Sequence, residues 1–534
     1  MRPWVVWPSV GVIGIVVIVA FLFPEWLNDL LKSVNSTVVT SIGWYYVAIM
    51  LVFVVVCLWL AASRFGNVKL GKDEDEPEYK LVSWFAMLFA AGMGIGLVFW
   101  GVAEPLWYYE NPKPGVAGGP ETLANQAMSQ TFLHWGLHAW STYAVVGLGV
   151  AYAVHRRGFP VTIRWALQPL LGDRVKGAWG DVVDAFATIG TVFGVATSLG
   201  MGVAQIASGL NFLGLGDGGI NVQRIVIVVA AVAAALSAAS GVSKGIQYLS
   251  NINLGLASVL LLTVLFTGPT LFLMNEMVQA VGGYIQNFVG LSFSTLAFYG
   301  DAGSEWLSTW TTYYWGWWIS WSPFVGIFIA RISKGRTVRE FLAGVLLVPT
   351  AITFAWFAIM GGSALWEQIF GGQTLTDADG AVDTTLALFQ LLESYPAAKI
   401  ISGLFILLLL IFFVTSADSG GFVVAMMSTG GNQNPPRWLR VLWVASSALI
   451  AFVLLNVGGG LSALQTFAIL VAVPFSVVMI GMCLSLIKSA RHEVGVREKA
   501  IRLAMNQRII DHVEAVTSTR ESASRFKRRK DPES

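Results

Sequence analysis

Residues 310–324 read Trp310-Thr311-Thr312-Tyr313-Tyr314-Trp315-Gly316-Trp317-Trp318-Ile319-Ser320-Trp321-Ser322-Pro323-Phe324, a density of indoles that contact with lipid alone does not require. Tryptophan in a membrane protein ordinarily marks the interface with water. Here Trp317, Trp318 and Trp321 lie near the centre of an apolar stretch, and i+3 and i+4 spacing puts Trp321 beside both of the others. A separate stretch offers Trp135, Trp140 and Tyr143 at similar depth. Aromatic faces attract an alkylated ammonium through the ring quadrupole, at about 0.5–2 kcal/mol per good contact, and ask for no hydrogen bond from it. Singly, each ring suits core or belt; jointly, they suit a cage for a quaternary cation.

Two further clusters could handle an ion. Ala90-Ala91-Gly92-Met93-Gly94-Ile95-Gly96 sits within an apolar stretch, and each helix-interior glycine costs about 1 kcal/mol relative to alanine. Gly92 and Gly96 have the spacing of close helix packing, whereas Gly94 is off that face. The alternative is an unwound segment whose free carbonyls and amides hold a coupling ion or an anionic group. Phe412-Phe413-Val414-Thr415-Ser416-Ala417-Asp418-Ser419-Gly420 places adjacent hydroxyls in hydrocarbon. They either bond back to their own helix or offer neutral oxygens to a hard monovalent cation. Intramembrane charges are few: Glu104 and Asp184, read as structural groups toward span ends where water reaches them, and Asp418, read as a gate or helix bridge.

The elements that must position these residues are membrane helices. The 534 residues are 55% hydrophobic and 12% charged, and apolar runs of about 20 residues, the length that crosses a bilayer, recur throughout. Spans are predicted near 8–23, 42–62, 82–108, 131–154, 181–210, 221–239, 251–274, 306–330, 340–361, 397–426, 439–458 and 463–488, an all-α polytopic protein of twelve transmembrane helices. Trp4, Trp7 and Pro8 without a small-residue cleavage site make the first run a span rather than a signal peptide. Residues 276–294, with Tyr284, Phe288 and Phe293 among glycines and amides, suit an interfacial helix on the outer surface.

Basic residues follow the even spans: Arg64, Lys69 and Lys72; Arg156 and Arg157; Lys244; Arg331, Lys334 and Arg336; Arg437 and Arg440. The alternate loops carry Glu276, Asp301, Glu305, Asp377 and Asp379, so both termini are expected in the cytoplasm of a multi-pass cell-membrane protein. Beyond residue 488 a cytoplasmic tail closes on Arg525, Phe526, Lys527, Arg528, Arg529 and Lys530, either a solvated anchor or a sensor of anionic lipid or internal salt. The net charge of +2 argues against a nucleic-acid partner, and Cys57 and Cys483 are packing residues.

Four segments in register resemble the betaine/carnitine/choline transporter family over nearly the whole chain: the glycine segment with Phe99 to Pro105, His134 to Tyr143, the tryptophan segment running to Arg331, and Thr415 to Gly420. The resemblance implies two inverted five-helix repeats at 81–275 and 296–488. They are preceded by residues 1–80 with two peripheral helices, separated by the amphipathic helix 276–295 and followed by the basic tail 489–534. It also implies a homotrimer and alternating access. Residue by residue, it implies a cage of Trp135, Trp140, Tyr143 and Trp318, with Trp317 and Trp321 lining the adjoining pathway and Ala91 and Met93 beside the substrate. For sodium it implies the carbonyls of Ala90, Met93 and Phe412 with the hydroxyls of Thr415 and Ser416. A second sodium position would use Thr191, Tyr143 and Phe324, but Val195 stands where a second hydroxyl is expected, a departure from the sodium-coupled pattern that bears on the stoichiometry. Gly92, Gly94 and Gly96 without an acid between them are similar to the sodium-coupled glycine betaine branch, whose activity is symport in osmoprotection. Proton-coupled import or sodium-independent exchange of choline, carnitine, ectoine or a sulfonium analogue is the alternative.

A channel would need a continuous polar pore, which bulky midplane aromatics oppose. An enzyme would need a nucleophile with a base, or a metal cluster; His134 and His138, at i+4 without an acidic partner motif, are read as structural.

Overall fold

A computed structural model of the chain describes residues 1–530 apart from 93, 241–242, 373, 378 and 458; for 89–92, 243–247 and 521–530 it describes the backbone alone. In chain order the helices are α1 (Pro3–Leu22), α2 (Pro24–Ala62), α3 (Leu81–Gly92), α4 (Ile95–Glu110), α5 (Pro120–Trp135) and α6 (Leu137–Ala151). There follow α7 (Gln168–Leu171), α8 (Ala178–Phe212), α9 (Ile220–Ser240), α10 (Ser243–Thr267), α11 (Thr270–Ser292) and α12 (Gly300–Leu307). The last six are α13 (Tyr313–Arg331), α14 (Val338–Trp366), α15 (Ala387–Glu393), α16 (Ala398–Ser428), α17 (Arg437–Leu455) and α18 (Leu461–Lys530). Each of the twelve predicted spans meets a helix, and among the described residues ten stretches are long and apolar enough to cross a membrane. The other two spans are interrupted: one is split into α3 and α4, and one passes from α12 to α13 through a π-helical turn at Ser308–Thr312.

The glycines decide where helices break. Gly94, at φ −163° and ψ −128°, separates α3 from α4, so the glycine segment unwinds rather than serving packing alone. A second break was not foreseen: the predicted span 131–154 parts at Gly136, at φ −93° and ψ −137°. A side-chain carbon at Gly136 would stand 2.5 Å from the Phe132 carbonyl oxygen and 3.0 Å from the Phe354 ring, so only glycine fits the corner. Close approach also sets the packing of α6 on α13. There a Cβ on Gly326 would lie 3.0 Å from the backbone nitrogen of Gly147.

Three boundaries differ from expectation. Helix α2 begins at Pro24 rather than near 42, because no breaker interrupts the run and Leu27 and Leu31 bury one face of the added turns. Gly268 and Pro269 end α10 before the predicted residue 274, so the following helix starts at Thr270 rather than 276. That helix, α11, buries Leu273, Glu276, Ala280 and Tyr284 against the bundle, and its outward face exposes Leu271, Val278, Ile285 and Val289 together with the amides of Asn275, Gln279, Gln286 and Asn287. Finally, α18 does not end near 488: it continues as one helix through Lys530, exposed from Gly495 to Arg520. The side chains of Arg525, Lys527, Arg528, Arg529 and Lys530, like that of Lys244, lie outside the described residues.

The basic loops share one end of the molecule. Leu70 N donates to Arg336 O at 2.8 Å and Gly335 N to Leu70 O at 2.8 Å, joining the loops after α2 and α13. Arg156, past the end of α6, donates to Gly71 O at 3.0 Å and Asp73 at 2.7 Å, and pairs with Glu493 of α18. Arg64 pairs with Glu498, and Arg2 N donates to Ser428 O at 2.8 Å. The N-terminus and the start of the tail therefore lie at the same end, as an even number of spans requires. Asp184, expected near water, is fully buried: Arg164 donates to it from its backbone N at 3.0 Å and Nε at 2.5 Å, clamping the segment before α7 onto α8.

Candidate functional site: an aromatic cage beside a broken helix

The cage predicted from sequence assembles as a run of touching rings. Trp135 meets Trp318 edge to face at 4.9 Å between centroids, Trp318 meets Tyr143 at 6.1 Å, and Tyr143 meets Trp140 at 5.4 Å. Trp317 stacks on Trp318 at 4.5 Å and 18°. All five are buried. Trp321, expected to line the adjoining pathway, meets the Phe324 ring at 5.2 Å, and among the described residues no ring contact joins it to Trp317 or Trp318.

The Gly136 corner is what lets α5 and α6 present rings to one place. It frees the His134 carbonyl, which accepts the Trp318 indole N–H at 2.8 Å. Glu104, expected near water, is fully buried and accepts from the Trp135 indole at 2.6 Å and the Tyr314 hydroxyl at 2.5 Å. His134 Nδ1 lies 3.0 Å from its other oxygen. Tyr314 was overlooked as a site residue, although its i+4 relation to Trp318 was visible; its ring lies 5.7 Å from both Trp135 and Trp318. His134 and His138 form no metal set, and among the described residues no cluster of His, Cys, Asp and Glu could hold a metal ion. The indole nitrogens of Trp140 and Trp317 and the Tyr143 hydroxyl are buried without a hydrogen-bond partner.

Helix α4 enters the site with two small residues facing opposite neighbours. A Cβ on Gly96 would overlap the Trp317 ring and lie 3.2 Å from the Trp135 ring, so only glycine lets α4 reach the cage. A Cβ on Gly94 would lie 3.6 Å from Ser416 Oγ and 3.6 Å from the Phe412 ring of α16. The α3/α4 break and the 412–416 turn are therefore neighbours. Met93 lies outside the described residues; of Ala90, Ala91 and Gly92 only the backbone is described, as the last residues of α3. Thr415 bonds back to Ile411 O at 2.9 Å, the self-capping that its position in hydrocarbon allowed. Thr191 likewise donates to Ala187 O at 2.8 Å, and no hydrogen bond or ring contact joins Thr191, Tyr143 and Phe324. Val195, the departure noted in the sequence, packs against Gly420: a Cβ there would meet its Cγ2 at 2.9 Å. Asp418 bridges helices, accepting from Arg440 at 2.9 Å and Ser237 at 2.6 Å.

The sequence pattern of betaine/carnitine/choline family transporters matches residues 4–495. The chain belongs to this family. It is 46% identical to an uncharacterized transporter of Mycobacterium tuberculosis over 95% of this chain and 85% of that one. To a glycine betaine transporter of Bacillus subtilis it is 44% identical, over 93% of this chain and 96% of the relative. With a high-affinity choline transport protein of Escherichia coli it shares 40% identity over 94% and 74%. This member of the betaine/carnitine/choline transporters is thus a membrane transporter for a substrate of betaine or choline type, not an enzyme.

Proposed function

We propose that the protein imports glycine betaine by sodium symport across the cell membrane, in osmoprotection, as a homotrimer with both termini cytoplasmic. The observation that carries this reading is the position of α4, whose Gly96 abuts the aromatic cage while Gly94 abuts the hydroxyl-bearing turn of α16. A cation bound at the α3/α4 break, among the carbonyls of Ala90, Met93 and Phe412 and the hydroxyls of Thr415 and Ser416, would set where α4 closes against Trp135 and Trp317. Ion and substrate occupancy would then be coupled through one element. The second position, with Thr191, Tyr143 and Phe324, carries less support.

Three orphan donors favour a zwitterion over choline. Trp140 Nε1, Trp317 Nε1 and Tyr143 Oη ask for an acceptor, which a carboxylate supplies with four lone-pair sites. The Bacillus subtilis relative is a glycine betaine transporter. The test is uptake of radiolabelled glycine betaine into proteoliposomes under a sodium gradient, a proton gradient or neither. Sodium-driven accumulation, lost in Trp318→Ala and in Thr415→Ala with Ser416→Ala, supports symport at this site. Uptake driven by protons alone, or preference for choline, overturns it.

A further inference from the structure

Glu104 touches the cage, and a fully buried carboxylate without a cationic guanidinium or ammonium partner needs a reason. We propose that Glu104 is a positioning residue of the transport site: through the pair Glu104 and His134 it fixes the adjoining indoles Trp135 and Trp318. The inference rests on the reading that these rings face the substrate.

One carboxylate oxygen accepts from both the Trp135 indole at 2.6 Å and the Tyr314 hydroxyl at 2.5 Å. The other lies 3.0 Å from His134 Nδ1. The opposite imidazole nitrogen is 3.1 Å from Thr311 Oγ1, so the ring is gripped on both edges. His134 in turn presents the carbonyl that accepts from Trp318 at 2.8 Å. Three separate helices, α4, α5 and α13, thereby meet at one acid. Hydrogen bonds to a carboxyl oxygen in a low-dielectric site hold their donors firmly. Rotating Trp135 would leave donors unmet inside the bundle, which is costly. Cation attraction acts over the face of a ring, so tilting either indole loses substrate contact directly.

Position and charge make different forecasts. In Glu104→Gln the amide oxygen still accepts from Trp135 and Tyr314, while its NH2 donates to His134 Nδ1 and the imidazole donates from Nε2 to Thr311 or, once the Gln130 amide turns its unpartnered oxygen inward, to Gln130. The geometry survives without the charge. In Glu104→Ala it does not, and Tyr314→Phe removes one donor while leaving the acid. The experiment measures KM and maximal rate for glycine betaine in proteoliposomes, and near-ultraviolet circular dichroism of the purified protein without substrate. Expected are a KM within about threefold of wild type for Glu104→Gln, and about tenfold or more above it for Glu104→Ala with a smaller change in maximal rate. The indole dichroism should change in Glu104→Ala, change less in Tyr314→Phe, and hold in Glu104→Gln. The proposal is overturned if Glu104→Gln is as impaired as Glu104→Ala, or if Glu104→Ala leaves KM and dichroism unaltered. If Glu104→Ala does not fold, the Gln and Tyr314→Phe variants decide by the same readouts. Absence of betaine uptake in the wild type would sink the substrate reading, while the substrate-free dichroism would still decide whether Glu104 orients the indoles.

Discussion

At the scale of residues, the orphan donors separate two substrates that share a trimethylammonium group. Trp140→Phe keeps an aromatic face and deletes one N–H, so choline uptake should be little altered while the KM for glycine betaine rises about tenfold, the worth of a hydrogen bond to a charged group; parallel uptake assays check the ratio. Glu276 gives a second prediction. It lies on α11, 8% exposed, with one oxygen unpartnered, and burial pushes its carboxyl up to about 7. A raised pKa means the folded protein holds the proton more tightly than the unfolded chain. The stabilisation is therefore complete below about 4.5 and is lost as pH rises through about 7. Glu276→Gln should leave the melting temperature in detergent unchanged at pH 4.5 and raise it at pH 8, by a stability difference on the order of 3 kcal/mol. The cage rings were legible in the sequence because indoles at mid-span have few alternative uses. Glu104 was not, since its partners Trp135, His134 and Tyr314 come from other helices and only the fold brings them to one acid.

At the scale of elements, the two broken helices carry the site, and they differed in how visible they were. Three glycines in five residues announced the α3/α4 break, whereas Gly136 stands alone among bulky residues, and its necessity lies in the Phe132 carbonyl and the Phe354 ring. Gly136→Ala should therefore displace the corner, release the Trp318 indole from the His134 carbonyl and lower uptake at least tenfold, with surface expression retained as the control. The clamp of α8 makes a different forecast. Asp184→Asn leaves the buried Arg164 paired with the Asp181 carboxylate alone, so the loss should fall below the roughly 3–5 kcal/mol of a buried pair broken outright. Arg164→Met with Asp184→Leu should recover much of that loss, and melting curves of the solubilised variants measure both.

At the scale of the whole molecule, the twelve spans followed from apolar run length, while the extents of α2 and α18 did not, because helix continues wherever no breaker stops it, in lipid or in water. The proposed orientation is open to a direct check, since both native thiols are buried. In right-side-out vesicles Asp379→Cys should react with an impermeant maleimide and Ser518→Cys should not, and inside-out vesicles should reverse the pattern. Helix α18 has a mechanical consequence. Residues 491–530 rise about 60 Å from the end of the bundle if straight, at 1.5 Å per residue. That is several times the screening length of about 8 Å in physiological salt, so charges at the tip cannot be felt by the transport core through the solvent. Whatever the far end touches can act on the core only as a lever acts, by bending or twisting a rod whose fulcrum is the cluster of Arg156, Glu493, Arg64 and Glu498. Stiffness would then be the signal: a helix-breaking pair of glycines placed between the fulcrum and the tip would uncouple the two ends while leaving every charge in place.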